Sequence, residues 1–162
     1  MSNVINQTGT AVDSDTAGEY LHNHVDGGRA DSYACVLLEQ GVYGWGQQLS
    51  PDYTGGSWTV YRLDNGGFYA APDAPHGAVY ATLVNGNGYD GTLSAEAFGI
   101  TATLFALNHL MWFIADSVDN GQALLMVPDA VAVGERLRRL YYLLRDEAAN
   151  HPEAADIYAA ID

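Results

Sequence analysis

Ser57-Trp58-Thr59-Val60-Tyr61-Arg62-Leu63, Asp64-Asn65-Gly66-Gly67 and Phe68-Tyr69-Ala70-Ala71-Pro72 together decide how this chain folds. The first run is rich in β-branched and aromatic residues and alternates, with Trp58, Val60 and Arg62 on one face and Thr59, Tyr61 and Leu63 on the other. The second run, Phe68 to Ala71, is also strand-like. Asn65-Gly66 between them is the strongest short hairpin signal, because a tight turn of this kind needs positive φ at its centre. A third run, Ala78 to Val84, reads as a continuation of the same meander. Asn85-Gly86-Asn87-Gly88 then turns the chain into a short fourth strand, Tyr89 to Leu93.

Helices flank this core of strands. Ser94 reads as an N-cap whose hydroxyl accepts from the free amides of the first turn, with Glu96 at the positive helix end. The helix it opens should run from Ala95 to about Ala115, and it is so poor in polar residues that it belongs at the centre. Its most apolar window, Ile100–Ala115, is about 16 residues long and falls short of a bilayer span of ~20. Residues 116–132 read as a loop. An amphipathic helix follows over Val133–Ala149, with Leu137, Leu140, Tyr141, Leu144 and Ala148 on its inner stripe. A last helix runs over Ala154–Ala160 after His151-Pro152-Glu153. Upstream, Tyr33 to about Leu49 reads as a helix weakened by Gly41, Gly44 and Gly46 and stopped at Ser50-Pro51. Residues 1–31 show no steady period and read as a flexible N-terminal arm with one helical turn near Glu19–His22. The expectation is an α+β fold in which a small antiparallel meander of three to four strands packs on a central apolar helix and the C-terminal helices, all within residues 32–162.

Composition narrows the function. The chain has 162 residues, 48% of them hydrophobic, and carries 20 acidic against 6 basic residues for a net charge of −14. All six basic residues are arginines, at 29, 62, 136, 138, 139 and 145. Nucleic-acid binding and attachment to an anionic membrane surface both run on Lys and Arg, so neither is expected. One cysteine, Cys35, makes no internal disulfide, and no signal peptide precedes it, so the expected location is the cytoplasm. DNA mimicry needs ordered carboxylates at about one per 1.7 Å of duplex axis. Here the acids are scattered, and the only adjacent pair is Asp146-Glu147.

Few constellations point to chemistry. His22-x-His24-x-Asp26 would share one face in an extended segment and has the residue types of a metal site, with no fourth ligand in sight. Cys35 sits in an apolar run and reads as a buried structural thiol rather than a nucleophile paired with a distant histidine. His109 reads as a hydrogen-bonded core or boundary residue. Asn85-Gly86-Asn87-Gly88 lacks the third glycine and the basic residue of a phosphate cradle. No catalytic residue, metal or cofactor is expected.

Three blocks resemble the ArdB/KlcA antirestriction family: YTGGSWTVYRLDNGGFYAAPD (53–73), NGNGYDGTLSAEAFGITATLFALNHL (85–110) and YYLLRDEAANHPEAADIYAAID (141–162). The resemblance implies a small cytoplasmic protein that is not an enzyme and protects incoming mobile-element DNA from type I restriction–modification systems. It implies a partner, the type I complex or an associated host protein, and it brings no catalytic constellation to carry over. The chain departs from the family pattern in its first 30 residues, in a longer loop at 116–132, and in Phe98, where a smaller residue is expected. Within the blocks, Gly55, Gly56, Gly66, Gly67, Gly88 and Gly91 are expected to hold turns, with Asn65 and Asn87 beside them. Trp58, Tyr61, Phe68, Tyr69 and Tyr89 should pack the strands, and Ser94 should cap. Partner contacts are expected from exposed acids and aromatics, with the acids Asp90, Glu96, Asp146, Glu147, Glu153, Asp156 and Asp162 singled out. Reversing them should abolish protection and leave folding intact. Two rival readings stand beside this one. A small ligand-binding or enzymatic domain would show a deep pocket with perturbed titratable groups. An acidic DNA-decoy inhibitor would lose binding steeply with salt.

Overall fold

The hairpin forms where the alternating runs predict it. In the computed structural model, which describes residues 8–162, β2 (Trp58–Arg62) pairs antiparallel with β3 (Phe68–Pro72), with Val60 opposite Ala70 and Tyr61 opposite Tyr69. The turn differs from the expected one. Asn65 keeps a negative φ and only Gly66 is left-handed, at φ 94°. Gly66 N–H donates to Leu63 O at 3.2 Å and Leu63 N–H to Gly67 O at 2.8 Å, a type I turn closed by a glycine bulge. The Asn65 side chain explains the choice. Its Oδ1 accepts from Gly67 N–H at 2.9 Å and its Nδ2 donates to Leu143 O at 2.9 Å, pinning the turn to a helix far along the chain.

The third run does not continue the meander. β4 (Val79–Val84) pairs with β5 (Tyr89–Ser94) as a separate two-stranded ribbon, while β2–β3 gains β1 (Thr10–Ala11) at its outer edge. Pro72 and Pro75 lack the N–H that a further ladder would use, and the 73–78 segment swings the chain away. The α+β character and antiparallel pairing hold, with five strands split three and two among the described residues.

The segment expected to be a loose arm is ordered over its described part. α1 (Ala17–Asp26) buries Leu21 and Val25 against α2 (Ala34–Leu49). Two apolar positions one turn apart are too few to register as a period, so the sequence announces only a turn near Glu19–His22 and not the full helix. α3 (Ala95–Asp119) is longer than expected, at 25 residues. That length would reach across a bilayer, but 67% of its most apolar window is buried inside the fold. Ser94 caps it as predicted, accepting from Ala97 N–H at 3.2 Å. α4 (Ala130–Ala148) starts three residues before its expected beginning because Asp129 accepts from Ala132 N–H, and α5 (Ala154–Ile161) ends the chain.

The two halves of α3 live in different surroundings. From Ala97 to Leu104 every residue is buried, wrapped by β3, both strands of the ribbon, α2 and α5. Gly99 is required there, because a Cβ would run into the backbone of Ala70 and Ala71 on β3. Phe98, fully buried, fills the space between the two sheets: it stacks on Tyr80 at 4.6 Å and meets Trp58 at 6.2 Å. This large side chain therefore joins sheet to ribbon. Beyond Leu110 only Ile114 and Ser117 stay buried, and α4 covers just one side.

Candidate functional site

The seven acids expected to meet a partner separate into two groups. Glu96 and Glu153 are built into the fold. Glu96 Oε1 accepts from the Tyr69 hydroxyl at 2.6 Å and from Thr8 N–H at 2.7 Å, and Oε2 faces His151 Nε2 at 3.3 Å. Glu153 N–H donates to His151 Nδ1 at 2.9 Å, so Nδ1 is an acceptor and the imidazole proton sits on Nε2, toward Glu96. Burial alone would raise the Glu96 pKa, but the hydrogen bonds from His151, Tyr69 and Thr8 outweigh it and hold the carboxyl below its ordinary value. Burial and the adjacent carboxylate push the Tyr69 phenol far upward. Glu153 accepts from Ser94 N–H at 2.9 Å and from the Ser94 hydroxyl, locking α5 onto the start of α3.

The others lie at the surface of the same corner. Asp156 accepts from the Tyr89 hydroxyl at 3.2 Å, and burial together with Asp156 lifts that phenol to about 12. Asp162 pairs with Arg145 at 3.1 Å, both partly exposed, an ion pair that contributes little to stability. Asp90 and Asp146 are exposed and Glu147 is half-buried, with no side-chain hydrogen bond or ion pair to another described residue. Glu96 and Glu153 thus differ from the exposed acids: each accepts hydrogen bonds that tie elements of the fold together, so their reversal should cost stability.

The block residues mostly tie elements together. Asn87 Nδ2 donates to Ala160 O at 2.9 Å and Ala159 O at 3.2 Å, satisfying carbonyls at the open end of α5. Gly55, Gly56, Gly66 and Gly88 have positive φ. Gly67 and Gly91 do not: a Cβ at Gly67 would press Leu143 at 3.0 Å, and Gly91 lies under the Tyr89 ring. Phe68 and Tyr69 are buried and Tyr61 stacks on Tyr69 at 5.0 Å, so the aromatic residues pack as expected.

Two concave surfaces bear on function. One, of about 410 Å³, lies between β3, the 73–78 segment and the start of α3, with Tyr61, Tyr69, Asp73 and Glu96 on its walls. Its carboxylates are already committed, Asp73 to the Ser57 and Thr59 hydroxyls and Glu96 to its three donors; His76, exposed, and Ser94, bound to Glu153, complete its polar lining. The other, of about 490 Å³, runs between the outer half of α3 and α4. Met111, Trp112, Ala115 and Val118 line it from α3, and Val131, Gly134, Arg138 and Tyr142 from α4. Trp112 is 65% exposed, Val131 59% and Tyr142 48%, a gathering that scattered surface apolar residues do not produce. The Arg138 guanidinium lies over the Tyr142 ring at 5.9 Å. Trp, Tyr and Arg in a small-residue groove are the composition of a protein-binding hot spot. Asp119 and Glu135 stand at its rim, and Asp146 follows Tyr142 by one helical turn. The sequence hides this face because Trp112 falls in a run that reads as core and Val118 in a stretch that reads as a loop; the acids at 116 and 119 are the signal that the helix has reached solvent. His109, expected in the core or at its boundary with a hydrogen bond, is exposed and edge-on to Trp45 at 6.0 Å.

The nucleophile and metal candidates of the sequence meet in one place. His22 Nδ1 lies 3.9 Å from Cys35 Sγ and 3.5 Å from Asp26 Oδ2. Burial first, then the Asp26 carboxylate, push the Cys35 thiol up to about 12, which favours the protonated thiol. His24 is elsewhere: its Nδ1–H donates to Tyr20 O at 2.8 Å and its ring stacks on Tyr20.

Comparison with known proteins gives this architecture a context. The family model described as antirestriction protein matches residues 51–162. The antirestriction protein KlcA of Escherichia coli is 45% identical over 121 residues, covering 75% of this chain and 72% of the relative. The putative antirestriction protein YubI of Escherichia coli strain K12 is 36% identical over 133 residues, covering 78% and 80%. A solved chain, from work stating that KlcA and ArdB show a novel fold and antirestriction activity against type I DNA restriction systems in vivo but not in vitro, superposes with a TM-score of 0.75 at 39% identity, over 96% of this chain and 94% of that one. With the family's blocks carrying the hairpin, the Ser94 cap and the C-terminal corner, the chain belongs to the ArdB/KlcA antirestriction protein family.

Proposed function

We propose that this protein protects incoming mobile-element DNA from type I restriction–modification systems in the cytoplasm by binding protein, without catalysis and without imitating DNA. Family membership supports the biological role. The carrying observation for the mode of action is the α3–α4 groove, where Trp112, Val131 and Tyr142 stand open to solvent with Arg138 beside them. An apolar centre with a polar rim is how a protein interface is built. Asp119 and Glu135, with Asp146 one turn beyond Tyr142, serve as the polar surround of the groove, and the remaining surface acids, Asp90, Asp156, Asp162 and the half-buried Glu147, are too scattered to act as surrogate phosphates. Four arginines on α4, at 136, 138, 139 and 145, interrupt any continuous acidic face.

The partner is the type I restriction–modification complex or a host protein acting with it. The solved relatives act in vivo but not in vitro, an outcome that favours a requirement for something the cell supplies. The test is the plating efficiency of unmodified phage on a host with a type I system, with and without this protein. Recovery of plaques is expected; no recovery with soluble protein present would refute the reading. Once the partner is in hand, the mechanism separates by salt: groove binding predicts a mild loss of affinity with ionic strength, a DNA decoy a steep one.

A further inference from the structure

The junction of α1 and α2 holds a cluster that the antirestriction reading does not use. His22 and Asp26 are one turn apart on α1, and Cys35 lies in the first turn of α2. His22, Asp26 and Cys35 each turn a donor atom inward, all within 4.8 Å of one another. We propose that these three side chains form a zinc site, with the fourth coordination position left to water.

Geometry comes first. Zinc bonded tetrahedrally at ~2.0–2.3 Å holds its donors roughly 3.3–3.6 Å apart. Here the nitrogen–sulfur separation is 3.9 Å and the nitrogen–oxygen separation 3.5 Å. Small rotations of His22 and Cys35 close the difference. Asp26 needs no rearrangement, because it is buried and held in place: Oδ1 accepts from the Ser32 hydroxyl and from Ala34 N–H at 2.8 Å, and Oδ2 from Cys35 N–H at 3.0 Å. Such outer hydrogen bonds orient a ligating carboxylate before the ion arrives. The His22 side chain is 27% exposed, which gives the ion its approach and the water its place.

Donor chemistry selects the metal. One thiolate, one imidazole and one carboxylate suit zinc, whereas magnesium and calcium seek oxygen alone. Charge balances as well. The thiol proton leaves as the zinc–sulfur bond forms, so Cys–SH and Zn²⁺ give Cys–S–Zn⁺ and H⁺, and the Asp26 carboxylate neutralises the remaining charge in this buried place. The consequence is a clip that fastens α1 to α2, tying the chain's N-terminal helix to the family core.

The test uses the full chain freed of metal by chelation. Titration with Co²⁺ should produce a sulfur-to-cobalt charge-transfer band and strong tetrahedral d–d absorption, both erased by added Zn²⁺. Zinc should raise the thermal midpoint by mass action. Cys35→Ser should remove the charge-transfer band, and His22→Gln, at a partly exposed position that spares the Asp26 contacts, should weaken zinc by roughly tenfold or more. His24→Gln should bind as the parent does. Absence of the band at saturating cobalt, or equal zinc affinity in parent, Cys35→Ser and His22→Gln, would overturn the site and mean an adventitious ion only.

Discussion

The C-terminal corner and the α3–α4 groove sit at opposite ends of the same helix and are built on opposite rules. At the corner, Glu96, Glu153, Asn87 and Ser94 commit their polar atoms to Tyr69, His151, the helix ends and each other. In the groove, Trp112, Val118, Val131 and Tyr142 face water without cover. Polar residues that look available in sequence are committed, and apolar residues that look buried are available. A charged group tolerates burial only with partners, so a half-buried carboxylate surrounded by donors marks scaffold. Exposed aromatic side chains gathered along two helices need another reason, and a partner supplies it.

The largest effect that would break this contrast belongs to Glu96→Ala. Three donors lose their acceptor, at roughly 1–3 kcal/mol for each buried group left unpaired, so urea denaturation should report a loss of about 3 kcal/mol or more. A change within ~0.5 kcal/mol would make Glu96 an ordinary surface acid. A pH titration sharpens the same point. Glu96 and Asp26 both have folded pKa values below their ordinary 4.5 and 3.8. Their contribution is therefore fully present above those ordinary values and is lost as pH falls through the folded ones. The denaturation midpoint should fall as pH drops below about 4.5, and the acid slope should shrink in Glu96→Gln. An unchanged slope would move the acid sensitivity elsewhere.

Next comes Ser94→Ala, which removes the α3 cap and one Glu153 contact together. The expected cost is about 1–2 kcal/mol, measured by thermal or urea unfolding. The smallest effect is expected from reversing Asp90, Asp146 and Glu147 to Lys. Stability should stay within ~0.5 kcal/mol, and phage protection should drop only a few-fold, since charges outside the apolar centre of an interface act chiefly on association rate. Complete loss of protection in that soluble triple variant would return the contact surface to the acids.

Legibility in the sequence followed the length of each pattern. The alternating run before Asn65-Gly66 and the strand-like run Phe68–Ala71 after it announced β2 and β3, and Ser94 announced the start of α3, because those signals are local. The β1 strand of two residues and α1 with its two buried apolar side chains carry too little pattern to be read, although they pack against the core. The separation of β4–β5 from the first sheet was written in Pro72 and Pro75, whose missing N–H groups end a ladder. The candidate site was the least legible part. Glu96 meets Tyr69 and His151, and Asn65 meets Leu143, only after the chain has folded. Trp112 differs from Leu107 solely in which neighbours α4 and α2 happen to bring.

The most direct test of the central claim pairs Trp112→Ala with Tyr142→Ala in one chain. Both side chains are largely open, so the variant should fold as the parent does, with matched circular dichroism and soluble yield. The measurement is the plating efficiency of unmodified phage on a type I restricting host expressing either protein. The account predicts recovery of plaques with the parent and its loss with the double variant. Equal protection by both would contradict docking through the α3–α4 groove.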